Sequence, residues 1–548
     1  MNMNSIVKNI SILFLSTSLF ACSDFLDVKP LDSYTGEVIF KNATLTETYV
    51  NQRYTELRHG FSQTAMRFVS DETYNNFNWQ SAYLFNRGEV TPDQIGGFGV
   101  WDEYYKAIKN CNIFFENIDQ LDAEKSIVDR MTGEITFLRA FFYAELVNRH
   151  GGVPLIEKTF GLNDNMMLKR SSYEECVNFI VSELDKAIAL LPVNYDNVNF
   201  GRATKGAAMA LKARVLLYAA SPMWNTTDDK SKWKAAADAA KAVIDLSNNG
   251  VKVYELDPDY VKLFLTNKSK EIIFMRQYNS EYGHTFDWQN SPNGFTGWSA
   301  TCVTQDMVDS YEMADGSMPT AELYSSDDPW AGREPRFYAS IVCDGQLFRG
   351  REIEFYISST GNKALCGKDS EYGIDDWNAS KSHYTIRKFM DESLRNAWND
   401  KGSQPWIYFR LGEMYLNYAE AVYHLGDEAN ARLYINKIRE RARGGVSNVL
   451  PDINASGAEL LAKIQHERKI ELAFEDHRFF DVRRWKIAEQ TENVPAHKIV
   501  IIRDDETKQK TYKIEVLQER KFLPQHYLFP IPRYEIQRNP DLEQNPYY

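Results

Sequence analysis

The chain has 548 residues, with 63 Lys and Arg against 76 Asp and Glu, for a formal net charge of −13. That balance argues against nucleic acid as a ligand, because phosphate binding needs concentrated Lys and Arg. Length alone allows three or four units of about 150 residues, with ample chain for a large core.

The chain opens with Lys8 and an apolar stretch from Ile10 to Phe20, broken only by Ser and Thr. It is shorter than the roughly 20 residues a membrane span needs and suits the core of a secretory signal. Leu19-Phe20-Ala21-Cys22 then resembles a bacterial lipobox, where a peptidase cuts before the cysteine and the thiol takes diacylglycerol. Phe20 is bulkier than the usual residue there. The resemblance makes residues 1–21 a signal peptide, Cys22 the lipidation site and 22–548 the mature chain. No later stretch is long and apolar enough to span a membrane, and helical patterning argues against a barrel.

After a polar tether, Thr44 to His59 reads as a helix. Phe68 to Phe98 is rich in Asn, Gly and aromatics, which is loop chemistry. Helical spacing returns over Trp101 to Leu121, Glu134 to His150, Ser172 to Leu191, Thr204 to Ala220 and Trp233 to Leu246. Gly151-Gly152 and Pro192 are stop signals. From Glu271 to Gln404 short β-like runs alternate with Gly, Asn and Asp loops. Helices resume at Tyr408 to Leu425, Glu428 to Arg443 and Ala458 to Ala473, before a tail of β-type runs and prolines.

In the pair around Gly426-Asp427, Tyr415, Tyr418, Ala419 and Val422 line the first helix, and Ala431 and Ile435 face them from the second. The register is similar to a tetratricopeptide hairpin, whose repeats stack into a solenoid with a broad surface. Five cysteines follow Cys22, without a C-x-x-C pair or a His-flanked metal pattern. Cys343 and Cys366 flank an expected hairpin and are candidates for a disulfide.

Seven blocks in order resemble the SusD/RagB family of Bacteroidetes surface lipoproteins. They are Gly133 to Ile156 (GEITFLRAFFYAELVNRHGGVPLI), Gly201 to Asn225, Thr304 to Gly316, Glu334 to Ile341, Tyr408 to Ala421, Glu467 to Lys486 and Leu528 to Pro546. The resemblance implies a mostly α, SusD-like fold with four tetratricopeptide-like hairpins plus an irregular region of loops and short strands. On that basis 22–548 is one domain. Its helical scaffold covers about 44–265 and 408–485, a variable loop region 271–405, and a tail 486–548. The resemblance further implies a non-catalytic, lipid-anchored protein of the outer membrane, facing outward, that binds oligosaccharide. Such a protein delivers its ligand to a SusC-like TonB-dependent transporter. Asp24 and Asp27, close to the lipid, look like the family's outward-routing signal.

The densest charged motif, Glu467 to Trp485, places Glu467, Glu471 and Glu475 four residues apart among arginines, a spacing that favours an ion-pair network over an acid/base site. Gly201 to Gly206 lacks the Gly-Lys-Ser/Thr ending of a phosphate loop. Gly373 to Ser380 has paired acids that suit calcium, but without its alternating ligand series the segment reads as a solvated loop. No cofactor is expected.

Flat side chains stack on the C–H faces of sugars, and aromatics in polar loops have less reason to be buried. One such loop carries Tyr74 and Trp79 beside Arg67 and Asn76; a second carries Tyr282, Trp288 and Trp298 beside Asp287. The family's ligand aromatics come from these two regions, and Trp79, Trp288 and Trp298 are the expected stacking platform. Two other function classes fit the composition: a surface glycosidase, for which no carboxylate pair is nominated, and an interaction scaffold without sugar binding.

Overall fold

Several helix starts in this chain fall where a side chain can satisfy the loose backbone groups. The computed structural model describes residues 36–78, 80–161, 163–394 and 399–548. Cys22, Asp24, Asp27 and Trp79 therefore lie outside the described residues. The framework is a row of helices: α1 (Ala43–Tyr54), α2 (Trp101–Asn117), α3 (Lys125–His150), α4 (Tyr173–Leu190) and α5 (Lys205–Ala220). The row continues with α6 (Lys230–Ile244), α7 (Leu411–His424), α8 (Glu428–Ala442) and α9 (Gly457–Glu471). At the start of α4 the Glu175 amide donates to the Ser172 hydroxyl at 3.2 Å, and the Ser172 amide donates to the Glu175 carboxylate at 2.7 Å. Thr204 and Asp427 cap α5 and α8 in the simpler way, each accepting one backbone N–H.

Each helix from α2 to α9 packs on the next, giving four tetratricopeptide-like pairs: α1 with α2, α3 with α4, α5 with α6, and α7 with α8. Small residues set the spacing, with Ala207, Ala208, Ala210 and Ala213 on α5 and Ala236, Ala237 and Ala240 on α6 all buried. The expected register of α7 and α8 holds, with Ala419, Ala431 and Ile435 fully buried and Tyr434 packed edge-on against Tyr415 and Tyr418. Several boundaries differ from the sequence expectation: α1 ends at Tyr54 rather than His59, α2 at Asn117 rather than Leu121, and α6 starts at Lys230 rather than Trp233. α3 starts at Lys125, before Glu134, and Gly133 lies inside it, where Leu190 and Leu191 come against the helix and a side chain would crowd them. Tyr408 to Arg410 is strand rather than the first turn of α7.

α6 packs directly on α7, although residues 245–410 lie between them. The Trp233 ring stacks on His424 at 3.8 Å across that junction. The intervening segment leaves the row and returns through two antiparallel strands, β2 (Ile272–Arg276) and β4 (Trp406–Arg410), which lie against α5. After α9 come the short helix α10 (Arg478–Arg484) and a hairpin of β5 (Ala496–Arg503) with β6 (Lys510–Gln518).

The Glu467–Trp485 motif is an ion-pair network, but it ties α9 to the segment 245–410 more than to the tail. Arg410 donates to Glu271, Glu471 and Glu475 at 2.7–2.8 Å. Arg336 donates to Glu334, Glu467 and Glu471, Arg441 pairs with Glu271 and Glu471, and Lys388 with Glu475 at 2.7 Å. All of these groups are buried. Burial alone would raise the Glu471 carboxyl, but Arg441, Arg410 and Arg336 outweigh it and hold the group well below the ordinary range.

Cys111, Cys176, Cys302, Cys343 and Cys366 are free thiols. The Cys343–Cys366 disulfide is not formed. Cys343 is fully buried on one side of the hairpin, while the Cys366 sulfur accepts the Ser358 amide at 3.4 Å.

Glu471→Ala would leave three guanidinium groups short of a partner in the interior. It should lower unfolding free energy by about 3–5 kcal/mol in urea titration. A loss under about 1 kcal/mol would mean the network is incidental to stability.

Candidate functional site

The two aromatic loops singled out in sequence meet in space. β1 (Thr73–Asn75) pairs antiparallel with β3 (Thr301–Val303), aligning Tyr74 with Cys302 and Asn75 with Thr301. The Asn76 amide extends the ladder to the Ala300 carbonyl at 3.1 Å. A third loop, residues 365–380, joins them. The Asn76 side chain donates to the Trp298 and Ala379 carbonyls at 3.2 and 2.9 Å. Asn293 donates to the Asp375 carbonyl at 2.7 Å, and Asn378 to that of Gly297. Irregular backbone leaves carbonyls without ladder partners, and these side-chain amides satisfy them. Gly297 is required by a close approach: a Cβ there would lie 2.0 Å from the Ser291 carbonyl oxygen.

The result is an aromatic face. Trp288 and Trp298 have ring centroids 4.2 Å apart at 47°. Trp377 meets Trp298 edge-on at 6.0 Å, and Phe77 lies 5.4 Å from it. Trp377 is 65% exposed, while Trp288 and Trp298 are half-buried. A crevice of about 20 Å³ beside Trp298 and Phe77 is lined by the amides of Asn75, Gln63, Gln80 and Gln289. The face is shallow, with flat rings outward and hydrogen-bonding groups alongside.

Other expected site residues are employed internally. Arg67 is buried, donates to the Gly60 carbonyl and lies over the rings of Phe68 and Phe286. Asp287 is 1% exposed; it accepts from Gln404, Arg349 and the Asp391 amide, and burial pushes its carboxyl up to about 6 against those partners. Asn76 is the staple between loops, and Tyr74 is half-buried in β1. Tyr282 is 70% exposed in the turn that begins at Asn279, whose side chain accepts its amide. The residue that sequence reasoning missed is Trp377, in the segment read as a solvated loop. The available signal was a lone tryptophan among Gly and Asp. Asp376 beside it pairs with Lys363 at 2.8 Å, and among the described residues no three His, Cys, Asp or Glu side chains are grouped to hold a metal ion.

The site rests on the buried network. Arg478 of α10 holds Asp71 through two bonds of 2.8 Å, and the Glu72 carboxylate accepts the Phe474 amide at 3.0 Å. The Thr304 amide donates to the Glu72 carbonyl, locking β1 to β3. Burial, helped by the neighbouring Asp71 charge, raises the Glu72 carboxyl to about 8.

The architecture is that of a helical-repeat protein whose long middle segment carries an aromatic cluster on its loops. Similarity to known proteins gives the family. Residues 270–548 match the SusD family model, and residues 24–217 match a second described as "starch-binding associating with outer membrane". A SusD-like protein from Bacteroides fragilis shares 33% identity and a TM-score of 0.79, covering 95% of this chain and 100% of its own. A SusD-like carbohydrate binding protein of the same species has 23% identity and a TM-score of 0.77, over 92% of this chain and all of that one. SusD-like protein P25 of Formosa agariphila is 25% identical over 98% of both chains. The chain belongs to the SusD family.

A carboxyl raised by burial stabilises the fold fully below its unfolded value and loses that contribution as pH rises through its folded value. Stability measured in urea should therefore fall between pH 4.5 and 8 more steeply for the native chain than for Glu72→Gln. The gap should widen by at least about 1.4 kcal/mol, one pKa unit; parallel profiles would refute the assignment.

Proposed function

We propose that this protein captures glycan at the cell surface, without catalysis, and passes it to a SusC-like TonB-dependent barrel. The observation that carries the reading is the convergence of Trp288 and Trp298 from one loop with Trp377 from another, Trp377 exposed and the other two half-buried. Rings fixed in advance lose little freedom on binding a sugar, so their contact area converts into affinity. The family and the carbohydrate-binding description of a Bacteroides fragilis relative support a saccharide as the ligand. Of the carboxylates near the rings, Asp287 is buried and Asp376 is paired with Lys363. Anchoring through lipid at Cys22 would hold the face near the outer membrane. No helix among the described residues is long and apolar enough to cross a membrane.

Titration calorimetry against a panel of plant, fungal and host glycans tests the face. Trp298→Ala with Trp377→Ala should weaken the best ligand at least about tenfold, or about 1.4 kcal/mol, with no hydrolysis product after prolonged incubation. Unchanged affinity would sink the aromatic assignment, and released sugar would sink the non-catalytic one. Cys22→Ser should move the protein from the membrane fraction to the soluble one; retention in the membrane would exclude the lipid anchor.

A further inference from the structure

Two adjoining clefts lie elsewhere on the molecule. They have volumes of about 360 and 490 Å³, within the range of small-ligand sites. They share Phe200, Gly201 and Arg202 on the loop between α4 and α5, and Phe274 and Met275 on β2. None of the rings of the tryptophan face lines either one. Their lining chemistry is one-sided. The chain carries a net charge of −13, yet neither lining contains an Asp or Glu, while Arg202, Arg276, Lys268 and Lys270 all contribute.

Two of these cations are already matched. Arg202 pairs with Glu47 and Glu134 at 2.6 and 3.0 Å, and Lys270 with Glu255 at 3.2 Å. Arg276 and Lys268 have no ion-pair partner among the described residues. The Arg276 guanidinium donates one bond, to the Leu57 carbonyl at 3.2 Å, and lies beside the Tyr408 hydroxyl. A half-buried guanidinium with donors to spare matches a planar carboxylate. The floor beside it is aromatic, with Phe274 and Tyr408 stacked at 5.2 Å and Tyr54 next to them. The rim carries Phe200, 47% exposed, with the amides of Asn51, Asn199 and Gln277. The rim is held in place: Gln277 donates to the Phe200 carbonyl at 2.8 Å, and a Cβ on Gly201 (φ +95°) would collide with the Gln277 side chain.

We propose that this cleft is a second saccharide site, selective for sugars that carry a carboxylate, with Arg276 receiving the acid group and Phe200 covering a ring face. The choice of a saccharide rests on the proposed glycan-capture function; the choice of an acid rests on the acid-free lining alone.

Saturation-transfer NMR with a uronate disaccharide, and a neutral disaccharide as control, tests the site on the full chain. Transfer from the native protein to the uronate is expected to exceed that to the neutral sugar. It should fall at least tenfold in Arg276→Gln and persist in the Trp298→Ala, Trp377→Ala double variant. Phe200→Ala, at an exposed rim position, should also reduce it, and that variant decides the question if Arg276→Gln lowers the melting temperature. Absence of transfer, equal transfer to the neutral sugar, or transfer undiminished in both cleft variants would overturn the proposal. Transfer lost in the tryptophan double variant would assign the acid to the aromatic face and overturn it as well. If neutral glycans fail to bind the tryptophan face while the uronate still depends on Arg276, the cleft stands and the aromatic assignment falls.

Discussion

Glu471 meets Arg410, Arg441 and Arg336 in the interior, and the remainder of the architecture is arranged around that meeting. Each guanidinium comes from a different part of the chain: the end of β4, the end of α8 and the middle of the segment 245–410. Burying so many charges is costly unless every one finds a partner with good geometry. The cost makes the arrangement specific, because a segment shifted by one residue would strand a charge. Helices α6 and α7 can therefore pack as neighbours while a long irregular segment leaves between them and returns to a fixed position.

The constraint reaches the aromatic face through α10. Arg468 of α9 pairs with Asp481, which also holds Arg484, and Arg484 pairs with Glu420 of α7. In the same helix Arg478 grips Asp71, and Glu72 next to it fixes the β1–β3 pair that carries the aromatic loops. Those loops have little regular structure, so their rigidity comes from side chains. Asn76, Asn293 and Asn378 each close a bond to a backbone carbonyl of a neighbouring loop. Polar residues that look like ligand contacts are thus the braces that keep the rings in place.

This division explains what was legible in the sequence. The helices were readable from apolar spacing on those with one buried face, such as α2, α4 and α6, and from the Gly and Pro stops that follow others. The family blocks carried the fold, and the Glu467–Trp485 spacing showed a network rather than a reaction centre. The pairing of the two aromatic loops was not readable, since β1 and β3 are each three residues long and carry no periodic signal. Asp287, Arg67 and Asn76 stood out in sequence as polar neighbours of the loop aromatics, and loop polarity does not reveal direction. Each turns inward to satisfy backbone or a neighbouring charge. Trp377 was hidden by its acidic neighbours, which make residues 373–380 look solvated, and the bonds made by Asn76, Asn293 and Asn378 bring that loop to Trp298. The start of α7 was misplaced because Tyr408 to Arg410 fits a helical face as well as a strand; the pairing with β2 decides it.

Charge is distributed between the two faces in a way that the net value of −13 conceals. Trp377 follows directly on Asp375 and Asp376, and Asp375 is exposed beside it. At separations below the Debye length of about 8 Å such a charge repels an anionic sugar. The cleft under Phe200 has the opposite character, with an unmatched guanidinium and no carboxylate in its lining. A long anionic chain and a neutral one would therefore meet different parts of the same surface. Selectivity of that kind requires no specific hydrogen bond to a sugar hydroxyl. It follows from where the fold needed its acids: carboxylates are drawn into the buried network, while Arg276 on β2 and Lys268 before it have no ion-pair partner among the described residues.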